Sequence, residues 1–270
     1  NNKKNLLIFF KRRWMRTLPL FFTVLILISA LTNNLFTLDF FKYFFLVQKI
    51  APNFLENDYF PVIWHLSIEE FFYLAFPLIV ICFNPSNFIN KVIVIFITIS
   101  VFKFFLSDFF DPNYYRTGTL LRFDAILLGF ILGHFKNYLL QYKKLISFIF
   151  FSLSAIYLFN YDLFILRSDL PYLKFLFIFF MQITSGIVML SFILIEPLLT
   201  NNRIKNISLL LSQQAYSIYL FHMIFIYLFK ELSLNTPLWT VIYLILLFSI
   251  STLVYKYFEE PIMRLRPKII

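Results

Sequence analysis

Cysteine is nearly missing from this chain. Cys82 is the single example, so an intrachain disulfide cannot form and a cysteine-based metal site has no ligands. The H-E-x-x-H pattern is absent, and His222 has no second histidine close by in sequence; no metal is expected. Glycine is equally scarce, with 4 residues in 270, and no Gly/Ser linker divides the chain. Charge is sparse as well. Charged residues make up 14%, against about 25% in an ordinary soluble domain. These shortages exclude a cytosolic domain, a disordered chain and a disulfide scaffold. What fills the space is apolar: 60% hydrophobic residues, 40 of them Phe, with a mean hydropathy of +0.79. A soluble core of this size cannot hide that much apolar surface, which points to a protein whose solvent is lipid.

The net charge of +10 does not mark a nucleic-acid binder. Such a protein gathers its basic residues on a soluble face, whereas here they form short clusters between long apolar runs. Eight runs have the length of a membrane helix, at about 17–34, 62–83, 90–107, 118–135, 145–161, 172–195, 208–229 and 238–257. Each must be helical, because lipid offers no partner to an open backbone group. The expected fold is therefore all-α, a polytopic transmembrane bundle of about eight spans, in one domain over residues 1–270. With the N-terminus placed in the cytoplasm, sixteen Lys and Arg fall on the inside and six on the outside. The inside set includes Lys143, Lys144, Arg203 and Lys268; the outside set includes Arg116 and Arg167. That asymmetry predicts both termini inside and the longest loop, about 35–61, outside. Asp39, Glu56, Asp58, Asp169 and other acidic residues fall outside too. No clear internal repeat supports an inverted-repeat transporter.

Ionisable residues inside spans are expensive and are functional candidates. The run WHLSIEEFFYLAFP carries His65, Glu69 and Tyr73 at i, i+4, i+8, on one helix face. Glu70 lies on an adjoining face, and Trp64 suits a membrane interface. The plainer reading is a pair of buried carboxylates that fix helix association. In RFDAILLGFILG, Arg122, Gly129 and Gly133 share a stripe, and the G-x-x-x-G pair predicts a close helix approach there. Asp124 is about 200° round the helix from Arg122, so each needs a partner elsewhere. An interhelical bridge would satisfy both without any catalytic role. In YSIYLFH, Tyr219 and His222 are i, i+3 neighbours; a hydrogen-bonded core histidine is the bland alternative.

Two terminal segments add to the pattern. Residues 1–16 read as a basic cytoplasmic loop in which Arg13 and Arg16 have i, i+3 spacing. As a helix turn they would present a phosphate-binding surface; simple membrane-surface charge is the competing account. Glu259 and Glu260 are placed at a helix C-terminus stopped by Pro261, where carboxylates oppose the macrodipole and need cations.

Taken in order, these motifs resemble the acyltransferase-3 family of integral membrane acyltransferases, which includes bacterial O-acetylases of lipopolysaccharide and other glycans. Trp64 to Pro77 is similar to the family's W-S-L-S-V-E-E-Q-F-Y-L-x-F-P, with His65 for Ser and Phe71 for Gln. Arg122 to Gly133 resembles R-x-D-x-x-x-x-G, Tyr216 to His222 resembles S-Y-S-x-Y-L-x-H, Glu259 to Pro261 resembles E-x-P, and Arg13 to Arg16 resembles R-x-x-R. The resemblance implies ten spans, the last eight of them here, and a chain that is N-terminally incomplete. It implies a catalytic His base upstream, so that this fragment alone is expected to be inactive. It further implies transfer of an acyl group, acetyl in particular, from acyl-CoA to a hydroxyl of a cell-surface glycan or lipid-linked sugar, at the bacterial inner membrane. No permanently bound cofactor is expected. On this reading Arg13 and Arg16 hold the donor's phosphates. Glu69, Glu70, Tyr73, Arg122, Asp124 and His222 support the chemistry, and Trp64, Gly129, Gly133, Glu259 and Pro261 are structural. The rival function is a transporter or channel subunit whose buried charges line a pathway; a degenerate partial member of the family is the other.

Overall fold

The computed structural model describes residues 2–82, 87–166, 171–196, 201–232 and 237–267. Asn1, Arg167, Asp169 and Lys268, used in the reading above, lie outside the described residues. Twelve α-helices are present among the described residues, and no strand. In chain order they are α1 (Asn2–Leu31), α2 (Leu38–Phe44), α3 (Trp64–Cys82), α4 (Phe88–Phe105), α5 (Pro112–Thr117) and α6 (Phe123–His134). There follow α7 (Lys136–Leu139), α8 (Lys143–Leu166), α9 (Pro171–Ile195), α10 (Asn202–Glu231), α11 (Pro237–Val254) and α12 (Glu260–Arg264). Among the described residues, six helical stretches are long and apolar enough to cross a membrane: Asn5–Leu31, Phe88–Asp108, Lys136–Ile156, Tyr172–Ile195, Asn202–Glu231 and Leu238–Arg264. The expected all-α polytopic architecture is what the chain adopts.

Three expectations change. Residues 2–16 are not a loop but the first half of α1, continuous with the first span; Leu, Lys and Arg dominate this stretch and are all good helix formers. The run at 118–135 yields only the 12-residue α6, about 18 Å long against a hydrocarbon core of about 30 Å. Its N-terminal part is taken by a 3-10 turn, Leu120–Arg122. At the other end, Pro261 does not stop the last helix. A π-helical turn, Tyr255–Glu259, leads from α11 into α12, with Pro261 in the first turn of α12. There a missing N–H leaves nothing unpaired, and Glu260 becomes a first-turn acid rather than a C-terminal one.

The described residues group into two compact units. The first comprises residues 1–48, 55–63 and 201–270. In it α1 packs along α10, and α10 along α11. Phe21, Val24, Leu25, Ile28, Tyr43 and Leu220 are wholly enclosed. The part of the 35–61 loop in this unit is strongly ordered. Thr37 caps α2 by accepting from the Phe40 N–H. Asp39, 5% exposed, accepts the backbone N–H groups of Glu56 and Asn57 and pairs with Lys42 at 2.9 Å. Tyr43 donates to Asp58, and Ser29 shares a 2.9 Å hydrogen bond with Tyr59.

Burial alone would raise the Asp39 pKa, but the Lys42 hydrogen bond and the two backbone donors outweigh it and hold the carboxyl below its usual value. A depressed folded-state pKa contributes stability that is complete above the unfolded value, about 3.9, and vanishes as pH falls through the folded one. The loop is thus expected to resist protease at pH 7 and become cleavable as pH drops below about 4. Asp39→Asn should be cleavable at both. Equal protection of wild type and Asp39→Asn at pH 7 would show that Asp39 does not hold the loop.

The second unit comprises residues 49–54 and 64–200. Here α6 packs on α4 and α9, and α8 on α9. Phe72, Val92 and Leu127 form one core cluster; Tyr114, Tyr115, Leu121 and Ile178 form another. Residues 49–54 are held by backbone ties, from Thr119 N–H to the Lys49 carbonyl and from the Tyr114 hydroxyl to the Ile50 carbonyl.

Candidate active site

In the first unit the basic segment of α1 meets the C-terminal segment. Arg12 donates to the Pro267 carbonyl. The Arg266 guanidinium is depressed from its usual pKa, first by burial and then by the charges of Arg12 and Arg16. Like charges are therefore gathered at one place, on a helix turn that also carries the half-buried Arg13. Glu260 pairs with Arg264 at 2.7 Å, on the surface. Glu259, 6% exposed, accepts from the Ser217 hydroxyl and lies in the field of Arg16. The expected cations for both carboxylates are in place.

The YSIYLFH segment lies on α10 and ties its neighbours together. Tyr216 donates to the Thr17 carbonyl at 2.7 Å, and Tyr219 donates to the Val62 carbonyl. Five residues past His222, Tyr227 donates to the Tyr59 carbonyl at 2.8 Å. His222 is half-buried, with Nδ1 against the Tyr219 carbonyl. A carbonyl only accepts, so Nδ1 carries the proton. In the neutral ring that leaves Nε2 as the acceptor, the tautomer a general base requires.

The second unit holds Trp64, Glu69, Glu70, Tyr73, Arg122 and Asp124. On α3, Tyr73 donates to Glu69 at 3.5 Å, and Glu70 is 6% exposed beside a fully buried Ser67. Asp124 finds its partner on α4, where Lys103 Nζ lies 2.6 Å away with both side chains closed from solvent. Tyr115 donates to the Lys103 carbonyl, and its ring faces Lys103 Nζ at 5.5 Å. Lys103 went unrecognised in the sequence, where it reads only as a charge near the end of a weak span. A lone lysine and a lone aspartate in neighbouring apolar runs were the available signal.

A cavity of about 650 Å³ opens beside Arg122, between α6 and α9. Trp64 and Arg116 line it as well, whereas Glu69 and Glu70 are not among its lining residues. The close helix approach expected at Gly129 and Gly133 is also displaced. A Cβ at either would meet nothing within 4 Å, whereas one at Gly186 would collide with Leu132. Gly129 does share a face with Arg122, as its spacing requires, but that face borders the cavity. No group of three or more potential metal ligands occurs among the described residues.

Apolar helices of membrane-crossing length, one of them tied to α6 by a buried ion pair, define an integral membrane protein of helical-bundle type. A family model described as an acyltransferase domain (acyltransferase 3) matches residues 1–256, and the chain belongs to that family. Membership implies membrane acyltransferase activity. An uncharacterized protein of Haemophilus influenzae (strain ATCC 51907 / DSM 11121 / KW20 / Rd) is 28% identical over 192 residues, 61% of this chain and 78% of that protein. No solved structure matches.

Proposed function

We propose that the protein serves the transfer of an acyl group, acetyl in the simplest case, from acyl-CoA to a hydroxyl of a cell-surface glycan or lipid-linked sugar. The acceptor hydroxyl gives its proton to a base as its oxygen attacks the thioester carbonyl. The tetrahedral intermediate then collapses, and CoA leaves as thiol after taking a proton. The observation that carries this reading is the meeting of the basic turn of α1, which bears Arg12, Arg13 and Arg16, with the C-terminal segment beside Arg266, tied by the hydrogen bond from Arg12 to the Pro267 carbonyl. Cations held together in this way suit a polyanion such as the phosphates of CoA. Arg13 and Arg16 hold the donor. His222, whose Nε2 is left as acceptor, supports proton transfer rather than serving as the main base, and Glu69 or Glu70 orients the histidine base that the family resemblance implies. The sixteen-to-six distribution of Lys and Arg supports cytoplasmic termini, and the family resemblance supports a bacterial inner membrane as the setting.

The test is donor affinity. Arg13→Ala combined with Arg16→Ala should weaken acyl-CoA binding by about tenfold or more, since hydrogen bonds to charged groups are worth about 1.5–3 kcal/mol. Calorimetry on purified protein in detergent measures this, with melting as the control for folding. Unchanged affinity would return both arginines to plain surface charge. Glu69→Gln and Glu70→Gln are read in a turnover assay. Full activity in both confines the carboxylates to helix association.

A further inference from the structure

The cavity between α6 and α9 has a composition that acyl transfer does not explain. Its wall carries two guanidinium side chains, Arg116 and Arg122, and no carboxylate. Most of the rest is apolar or small, with Leu128, Leu132, Met181 and Met189 facing Gly129 and Gly186. The lining on α9 runs from Phe177 to Met189, about 18 Å of helix. Gln182 stands in this wall, 6% exposed, and neither its Nε2 nor its Oε1 has a hydrogen-bond partner. Arg122 Nε is buried and unpartnered in the same wall. A buried amide without partners is costly, and each such group in a folded protein calls for an explanation, a bound ligand among them.

The complementary ligand can be read off these groups. Two cations call for an anionic oxygen, which accepts from Arg122 Nε and Gln182 Nε2. Gln182 Oε1 calls for a donor, which a hydroxyl supplies. The long apolar wall calls for an acyl chain. Basic pockets between membrane helices are known sites for anionic lipid headgroups. We infer that this cavity binds an anionic phospholipid with a hydroxylated head, of the phosphatidylglycerol type, its phosphate at Arg122 and Gln182 and one chain along Gly129 and Leu132. The volume lies within the usual range of ligand pockets, about 300–1,000 Å³.

The experiment is lipid retention by native mass spectrometry of the 270-residue chain. The protein is purified from bilayers holding equal phosphatidylglycerol and phosphatidylcholine. Phosphatidylglycerol should be retained about tenfold over phosphatidylcholine, the discrimination expected of charge-assisted hydrogen bonds. Gln182→Leu should remove most of that preference; it replaces an unpartnered buried amide by an apolar group, so folding is preserved. Gly129→Leu fills open space and should exclude the chain, lowering retention of both lipids. Equal retention of the two lipids by wild type would overturn the assignment, as would a preference untouched by both variants. Inorganic phosphate that displaces the lipid at millimolar concentration would overturn it in favour of a free-anion site. Retention is read without turnover, so its failure leaves the acyl-transfer reading intact, and failure of donor binding leaves this one intact.

Discussion

Lys103→Met will destabilise the second unit by about 3–5 kcal/mol, the usual consequence of removing one partner from a buried ion pair. The side chains of Lys103 and Asp124 are 1% and 3% exposed, so water cannot replace the lost ammonium. Asp124 keeps the Ala125 N–H at 2.7 Å and lies in the field of Arg122, but neither replaces the direct bridge to Lys103. The measurement is thermal unfolding in detergent, together with the yield of folded protein. Lys103→Met combined with Asp124→Leu should recover much of the loss, because neither charge of the pair then remains. If the single variant melts with wild type, the pair is not holding α4 to α6. If the double variant is no better than the single, the loss is one of shape rather than charge.

His222→Gln will lower turnover by about tenfold or more, the scale of one lost hydrogen bond to a developing charge, while leaving acyl-CoA affinity and melting near wild type. Glutamine can still donate to the Tyr219 carbonyl, so the local hydrogen bonding survives, but it cannot accept and hold a proton. The readout is single-turnover transfer with a soluble hydroxyl acceptor, in a preparation whose wild-type activity is established. Unaltered turnover would make His222 a core residue of α10, its ring tied down only for fit.

Helix content and the apolar character of the spans were legible in the sequence, because lipid imposes a length and a composition on every crossing segment. Charge pairing was legible only in part. The spacing of Arg122 and Asp124 showed that they face apart, yet it could not name Lys103, which lies 21 residues from Asp124 on a different helix. The same limit applies to the 35–61 loop. Its ordering depends on Asp39 reaching backbone groups 17 and 18 residues away, and no local pattern encodes such a contact. The G-x-x-x-G pair misled because a small residue permits close approach without requiring it; the approach is made at Gly186, where Leu132 happens to point. Pro261 misled for a related reason. A proline breaks a helix interior but fits a first turn, and the intervening π turn supplies that first turn. Among the site residues, the motif on α10 was read for its histidine. Tyr219 was read only as a neighbour of His222, and no local pattern showed that Tyr216 and Tyr219 tie α10 to Thr17 and Val62.

The continuity of α1 has a mechanical meaning. Seventeen residues, about 26 Å of helix, separate Arg12, bonded to Pro267, from Ser29, bonded to Tyr59. The basic cluster and the ordered loop are thus fixed to the two ends of one rod rather than to separate pieces joined by a flexible strap. A displacement at Tyr59 is carried to the arginines without loss, except at a single point. Pro19 lacks the N–H that would reach the Met15 carbonyl, so bending concentrates there, three residues beyond Arg16. The rod has one built-in elbow, inside the Asn5–Leu31 stretch, between its charged turn and the apolar remainder.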